Sequence, residues 1–188
     1  MEGTKIELCM DHPIETEMLK LSEQMSSFLH NANVTPNMIT TMGLLFGLMA
    51  VYFIWKGNKM LAFVFFWVGF FCDCLDGYYA RKYDMMSTFG AYYDITRDWI
   101  VTSLLIIIIF IKIKNPELRV FYVVSTLVLF FLMGVHVGCQ EKNTVPQKQS
   151  ETLKLTKNLC PDKRYIYITR FFGCATFIFF QSLLIFLT

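Results

Sequence analysis

Apolar residues gather into five long runs along the chain, each closed by a polar break. They cover residues 38–55, 60–80, 90–111, 120–139 and 165–188. The first has no charged residue, and the second has only Asp73 and Asp76. The third carries Asp94, Arg97 and Asp98 in its first half, and the fifth carries Arg170 as its single charge. The fourth holds His136, Tyr122 and Cys139 as its titratable groups. A helix needs about 20 mostly apolar residues to cross a bilayer, so each run predicts a spanning helix. Two of the breaks, KGNK at 56–59 and KIKNPELR at 112–119, carry turn chemistry.

Two segments fall outside this pattern. Residues 13–30 place Ile14, Met18, Leu21, Met25, Phe28 and Leu29 at helical spacing, after a Pro13 suited to a first turn. They predict an amphipathic helix lying in the membrane interface; a soluble cap helix with the same face is the alternative. Residues 140–164 form the one long polar loop, and no internal repeat is evident. The expected fold is an all-α integral membrane protein, a single domain over residues 1–188.

Composition agrees, since the 188 residues are 55% hydrophobic and 16% aromatic, with mean hydropathy +0.45. A net charge of +2 gives no case for nucleic acid as a partner. The N-terminus, MEGTKIELCMDHPIETE, is acidic and lacks the apolar stretch of a secretory signal. The six cysteines contain no Cys-x-x-Cys pair, so a zinc site is not expected. Cys72 and Cys74 point to different helix faces, and all six are expected as reduced thiols. Five spans put the N-terminal segment, the 81–89 loop and the 140–164 loop on one side. Of the 17 Lys and Arg, ten lie on that side and five on the other, with Arg97 and Arg170 inside spans. This bias predicts that the shared side is cytoplasmic.

The aspartates are the chemical anomaly. Asp73 and Asp76 are three apart, and Asp94 and Asp98 are four apart, so each pair shares a helix face. One pair ends the second span and the other opens the third, so a short connection brings all four carboxylates to one depth. Asp84, in the polar loop, is expected to be solvated. Each charge deep in a bilayer costs about 2.5–3.5 kcal/mol on insertion scales, against a typical folding free energy of about 5–15 kcal/mol. Arg81 and Arg97 could offset two charges, and one or two divalent cations the rest. Carboxylate oxygens suit Mg²⁺, Mn²⁺ or Ca²⁺, and paired ions about 3.5–4 Å apart stabilise displacement at phosphorus. Gly77 and Ala80 open a groove beside the carboxylates, Arg81 is placed to reach a phosphate, and Gly90 lets a ligand approach the backbone. Gly43 and Gly47 form a small-residue face for close helix approach. The charges alone leave three readings open: a structural network, an ion or proton path in a transporter, and catalysis.

The full spacing is Asp73, Asp76-Gly77, Ala80-Arg81, Gly90, Asp94, Asp98. At about 5–8% usage per position a chance match is on the order of 10⁻¹⁰ per starting point, so the pattern weighs more than the charges. It resembles the signature of the CDP-alcohol phosphatidyltransferases, with every fixed position present. TPNMIT at 35–40 resembles the stretch that opens the first span in that family. The resemblance is strong over residues 30–112. It implies transfer of a substituted phosphate from a CDP-linked lipid donor to an alcohol acceptor, with release of CMP. It implies Mg²⁺ or Mn²⁺ held by Asp73, Asp76, Asp94 and Asp98, with Asp98 also the general base. Asn37, Asp76, Gly77, Ala80, Arg81 and Gly90 would line the CDP site. It further implies six spans and a homodimer. Two departures stand out: five spans are counted, not six, and the C-terminal region matches no subgroup cleanly. YIYITR at 165–170 resembles the corresponding stretch of phosphatidylinositol synthases, but CATFIFF stands where an Asn-Glu is expected. Inositol is therefore the preferred acceptor on this reading, with Arg170 as a candidate ligand for an acceptor or lipid phosphate. The runner-up within the family is a CDP-choline or CDP-ethanolamine donor with diacylglycerol as acceptor. His136 is expected to be a hydrogen-bonded core histidine, and Tyr78, Tyr79, Tyr92 and Tyr93 are placed to meet either nucleotide or interface.

Overall fold

The computed structural model describes residues 2–150 and 152–187, and within them every regular element is helical. Met1, Glu151 and Thr188 lie outside the described residues, and the fifth predicted run ends on the last of these. Helix α1 spans Pro13–Asn31 and starts where Pro13 predicts, with the His12 imidazole accepting from the Ile14 amide at 3.1 Å. Helices α2 (Pro36–Lys56), α4 (Thr88–Lys112) and α5 (Pro116–Asn143) begin behind Thr35, Ser87 and Asn115, whose side chains accept from first-turn amides. α2 ends at Gly57, whose φ of +79° suits glycine, and Asn58 caps α3 (Lys59–Lys82) at once. This tight turn sets α2 and α3 antiparallel, and they form the most extensive helix pair in the molecule.

Four segments are long and apolar enough to cross a membrane: Pro36–Lys56, Lys59–Lys82, Pro116–Asn143 and Lys163–Leu187. The predicted third span falls inside α4, which has 25 residues but too many charges, Asp94, Arg97, Asp98 and Lys112, to qualify on composition. The fifth run is not one continuous helix. It forms a short α6 (Ile166–Thr169), a 3-10 turn at Arg170–Phe172, an extended Gly173, and α7 (Cys174–Leu187). Leu45, Trp55, Ile107, Leu127 and Phe131 are exposed on the flanks; apolar exposure on this scale suits lipid rather than water. The protein is an all-α integral membrane protein.

Small residues set the packing around the site. A Cβ on Gly69 would lie 3.3 Å from the Gly43 carbonyl, and one on Gly47 would lie 2.6 Å from Val101 Cγ2. Gly43 and Gly47 thus bring α3 and α4 onto α2, as their spacing predicts. At the far end Ala50, Ile54, Phe66, Leu105, Ile109 and Ile185 form the main apolar core. There the buried Tyr122 hydroxyl donates to Gln181 at 3.1 Å, and Gln181 donates to Thr126 at 3.3 Å, joining α5 to α7.

α1 turns its small and polar face inward. Glu15, Leu19, Ser22 and Ser26 are buried, while Leu21, Met25 and Phe28 face out. Leu21, Met25 and Phe28 thus form an apolar face that α1 leaves outward.

The expectation of six reduced thiols is corrected at one pair. Cys139, near the end of α5, is disulfide-bonded to Cys160, with Cα atoms 5.0 Å apart. The polar loop doubles back along α5, and at Gly138 a Cβ would strike the Thr156 carbonyl. The two cysteines are 21 residues apart, so spacing alone gave no sign of their contact. Cys9, Cys72, Cys74 and Cys174 are free.

Candidate active site

The start of α2, the end of α3 and the start of α4 meet at one end of the molecule. The N-terminal segment and the polar loop meet there too, because Arg81 Nε donates to the Gly3 carbonyl at 2.8 Å and Lys148 Nζ to the Thr4 carbonyl at 3.2 Å. Oxygens of Asp73, Asp76 and Asp94 lie within 4.8 Å of one another. Thr40 Oγ1 donates to Asp76 Oδ2 at 2.6 Å. Arg97, only 5% exposed, is shared: its Nη1 reaches Asp73 Oδ1 at 2.6 Å and Asp98 Oδ1 at 2.5 Å, and its Nη2 reaches the Gly69 carbonyl at 2.6 Å. Asp98 therefore joins the group through Arg97 and leaves half of its side-chain surface exposed.

Among the described residues only Arg97 forms ion pairs with these four carboxylates, and even with Arg81 nearby an excess of negative charge is left. Asp94 Oδ1 is buried without a hydrogen-bond partner in the structure. Close-set, all-oxygen donors with an orphaned carboxylate oxygen fit a hard divalent cation.

Beside the carboxylates is a cavity of about 200 Å³ lined by Asn37, Asp76, Gly77, Ala80, Arg81, Gly90, Asp94 and Asp98. A Cβ on Gly77 would lie 3.2 Å from Arg81 Nη1, and one on Gly90 would lie 3.2 Å from Asn37 Oδ1, so both glycines hold the wall open. The sequence of the family CDP-alcohol phosphatidyltransferase matches residues 33–186. The chain belongs to the CDP-alcohol phosphatidyltransferase family. It is 38% identical over 76 residues to an archaetidylinositol phosphate synthase of Pyrococcus horikoshii, covering 40% of each chain. It is 33% identical over 96 residues to CDP-diacylglycerol–inositol 3-phosphatidyltransferase 1 of Arabidopsis thaliana, covering 51% of this chain and 40% of that one. The corresponding enzyme of Candida albicans is 26% identical over 153 residues, covering 78% of this chain and 65% of that one. The chain thus spans about 40% of the length of the archaeal and plant relatives it matches. No solved structure matches it.

Every signature residue except Asp73 lines the smaller cavity, and Asp73 lines a larger one of about 560 Å³ that adjoins it. Arg170 lies elsewhere: it donates to the Cys9 carbonyl and lines neither cavity. Tyr78, Tyr79, Tyr92 and Tyr93 line neither cavity, and Tyr92 is exposed. Tyr78 and Tyr79 are fully buried, with the Tyr79 hydroxyl on the Val34 carbonyl at 2.8 Å, and Tyr93 pairs with Thr41 at 2.9 Å. Thr40, Lys5 and Lys148 are lining residues that sequence reasoning missed. Thr40 was findable, one helical turn after Asn37. Lys5 and Lys148 arrive from segments remote in sequence. Lys5 pairs with Glu141, and burial lowers its pKa more than that pairing raises it.

Proposed function

We propose that the protein transfers a phosphatidyl group from CDP-diacylglycerol to a small polar alcohol, inositol by preference, and releases CMP. The observation that carries this reading is the convergence of Asp73, Asp76 and Asp94 beside a cavity walled by Gly77, Ala80, Arg81 and Gly90. The inositol preference rests on the names of the Arabidopsis and Candida relatives.

Asp73, Asp76, Asp94 and Asp98 would hold Mg²⁺ or Mn²⁺, which supplies charge neutralisation for the diphosphate and for the departing CMP. Gly77 and Ala80 keep the α3 face low, so that a diphosphate approaches the backbone. Arg81 adds a fixed positive charge at the rim. Asn37 and the Gly90 wall bound the nucleotide. Asp98 accepts the proton of the acceptor hydroxyl as the new oxygen–phosphorus bond forms and the bond to CMP breaks. Arg97 fixes the orientation of Asp98 and carries part of the charge in the absence of substrate. The Lys and Arg bias supports a site facing the cytoplasm, and the family likeness supports a homodimer.

Purified protein in detergent, given CDP-diacylglycerol, Mg²⁺ or Mn²⁺ and a panel of alcohols, is expected to release CMP with inositol foremost. The Asp98→Asn variant should lose about 10²–10⁴-fold in turnover while still binding CDP. Wild-type turnover in that variant would refute the base assignment. CMP released only from CDP-choline or CDP-ethanolamine with diacylglycerol would identify the reverse substrate arrangement. No CMP from any pair, together with an ion flux in liposomes abolished by Asp94→Asn, would identify a transporter.

A further inference from the structure

A second group of titratable side chains lies outside the signature. Asp11, Glu15 and His136 are all buried, and one ligand atom from each lies within 4.8 Å of the other two. They come from three places: the segment before α1, the first turn of α1, and the C-terminal half of α5. Among the described residues no Lys or Arg forms an ion pair with either carboxylate.

Two details point to a ligand. His136 is 1% exposed, and its Nε2 has no hydrogen-bond partner in the structure. Its Nδ1 pairs with Thr169 Oγ1 at 3.3 Å, the outer hydrogen bond by which metal-binding histidines are commonly oriented. The free Nε2 borders the space above Gly173. A Cβ there would be 3.1 Å from His136 Nε2 and 3.2 Å from Glu15 Oε1. The carboxylates are oriented as well. Asp11 Oδ1 accepts from Gln140 Nε2 at 2.9 Å and from the His12 amide at 3.0 Å, and Glu15 Oε1 accepts from the Ala175 amide at 2.9 Å. Asp11 and Glu15 also line the cavity of about 560 Å³, which gives an ion a way in.

We propose that Asp11, Glu15 and His136 form a second cation site, selective for a first-row transition ion such as Zn²⁺. One imidazole and two carboxylates are a donor set that suits Zn²⁺ better than the all-oxygen signature does. Three protein ligands leave a fourth position for water. Bonds of about 2.0–2.2 Å in a tetrahedron put ligand atoms about 3.4 Å apart, so small side-chain rotations from the present spacing close the site. The site uses no cysteine, which is why cysteine spacing gave no sign of it. A bound ion would clamp the interfacial helix to α5 and to the start of α7. The inference stands apart from the transferase reading, because it uses none of the signature aspartates.

The test uses the full chain in detergent with Asp73→Asn and Asp94→Asn, so that signature binding is removed. After incubation with Zn²⁺ and gel filtration, elemental analysis should find about one zinc per chain. Adding His136→Gln or Glu15→Gln should remove it. Saturating Zn²⁺ at about 100 times Kd should also raise the melting temperature of the parent by about 5–10 °C, and leave the His136→Gln form unmoved. Asp11→Asn keeps an acceptor for Gln140 and the His12 amide, so it tests the site should the His136 variant not fold. Zinc content unchanged by these substitutions, or no zinc retained by the parent, would overturn the proposal and leave a shared-proton carboxyl pair in its place.

Discussion

At the scale of single residues, Arg97 and His12 are held by several partners at once. Arg97 sits between Asp94 and Asp98 in the sequence, so its role as a counter-charge was legible. Its bridge from Asp73 on α3 to Asp98 on α4 was not, because it depends on how the two helices cross. His12 was silent in the sequence. Its Nδ1 accepts from the Ile14 amide and its Nε2 lies 3.1 Å from Thr176 Oγ1. Burial lowers its pKa from the usual 6.5, more than Asp11 raises it. The unfolded chain therefore takes up this proton first as pH falls. The stabilisation is complete above about pH 6.5 and is lost as pH falls through the lowered folded value. With chelator present, the melting temperature should fall between pH 7 and pH 5. The His12→Asn variant keeps an N-cap acceptor worth about 1 kcal/mol and should show a smaller fall. An identical fall in both proteins would mean that His12 does not contribute.

At the scale of elements, local chemistry was the most readable. Pro13 and Pro36 open helices as their positions predict, Pro116 opens α5 within a stretch read as a turn, and Gly57 closes α2. A break hidden in the last run is one way to account for the missing span, but its place at Gly173 was not legible, because apolar residues lie on both sides and hydropathy carries no signal of a backbone turn. The glycine face of α2 was read correctly, and it makes a quantitative claim. A Cβ at Gly47 would lie 2.6 and 2.7 Å from the two Val101 methyls, so Gly47→Ala should destabilise the protein by about 1–3 kcal/mol through overpacking. Val101→Ala in the same chain removes the obstruction and should recover part of that loss. A double-mutant cycle of melting temperatures measures the coupling, and strictly additive effects would show that α2 and α4 do not meet there.

At the scale of the whole molecule, the two ends differ in kind. One end is an apolar core, and the other gathers the signature, the N-terminal segment and the polar loop. The sequence showed which segments share an end, through the parity of spans. It did not show how they interlock, because Lys148 on Thr4 and Lys5 on Glu141 join residues more than a hundred positions apart. The Cys139–Cys160 bond is of the same long-range kind. It makes residues 139–160 a covalent hoop at the site end of α5. A protease cut inside that hoop should leave two fragments that migrate as one on a gel until a reductant is added. In sealed, oxidised vesicles a membrane-impermeant reductant will part the cut fragments only where that end faces outward. The hoop therefore reports which way the protein is inserted, and whether its compartment keeps the two sulfurs joined or apart.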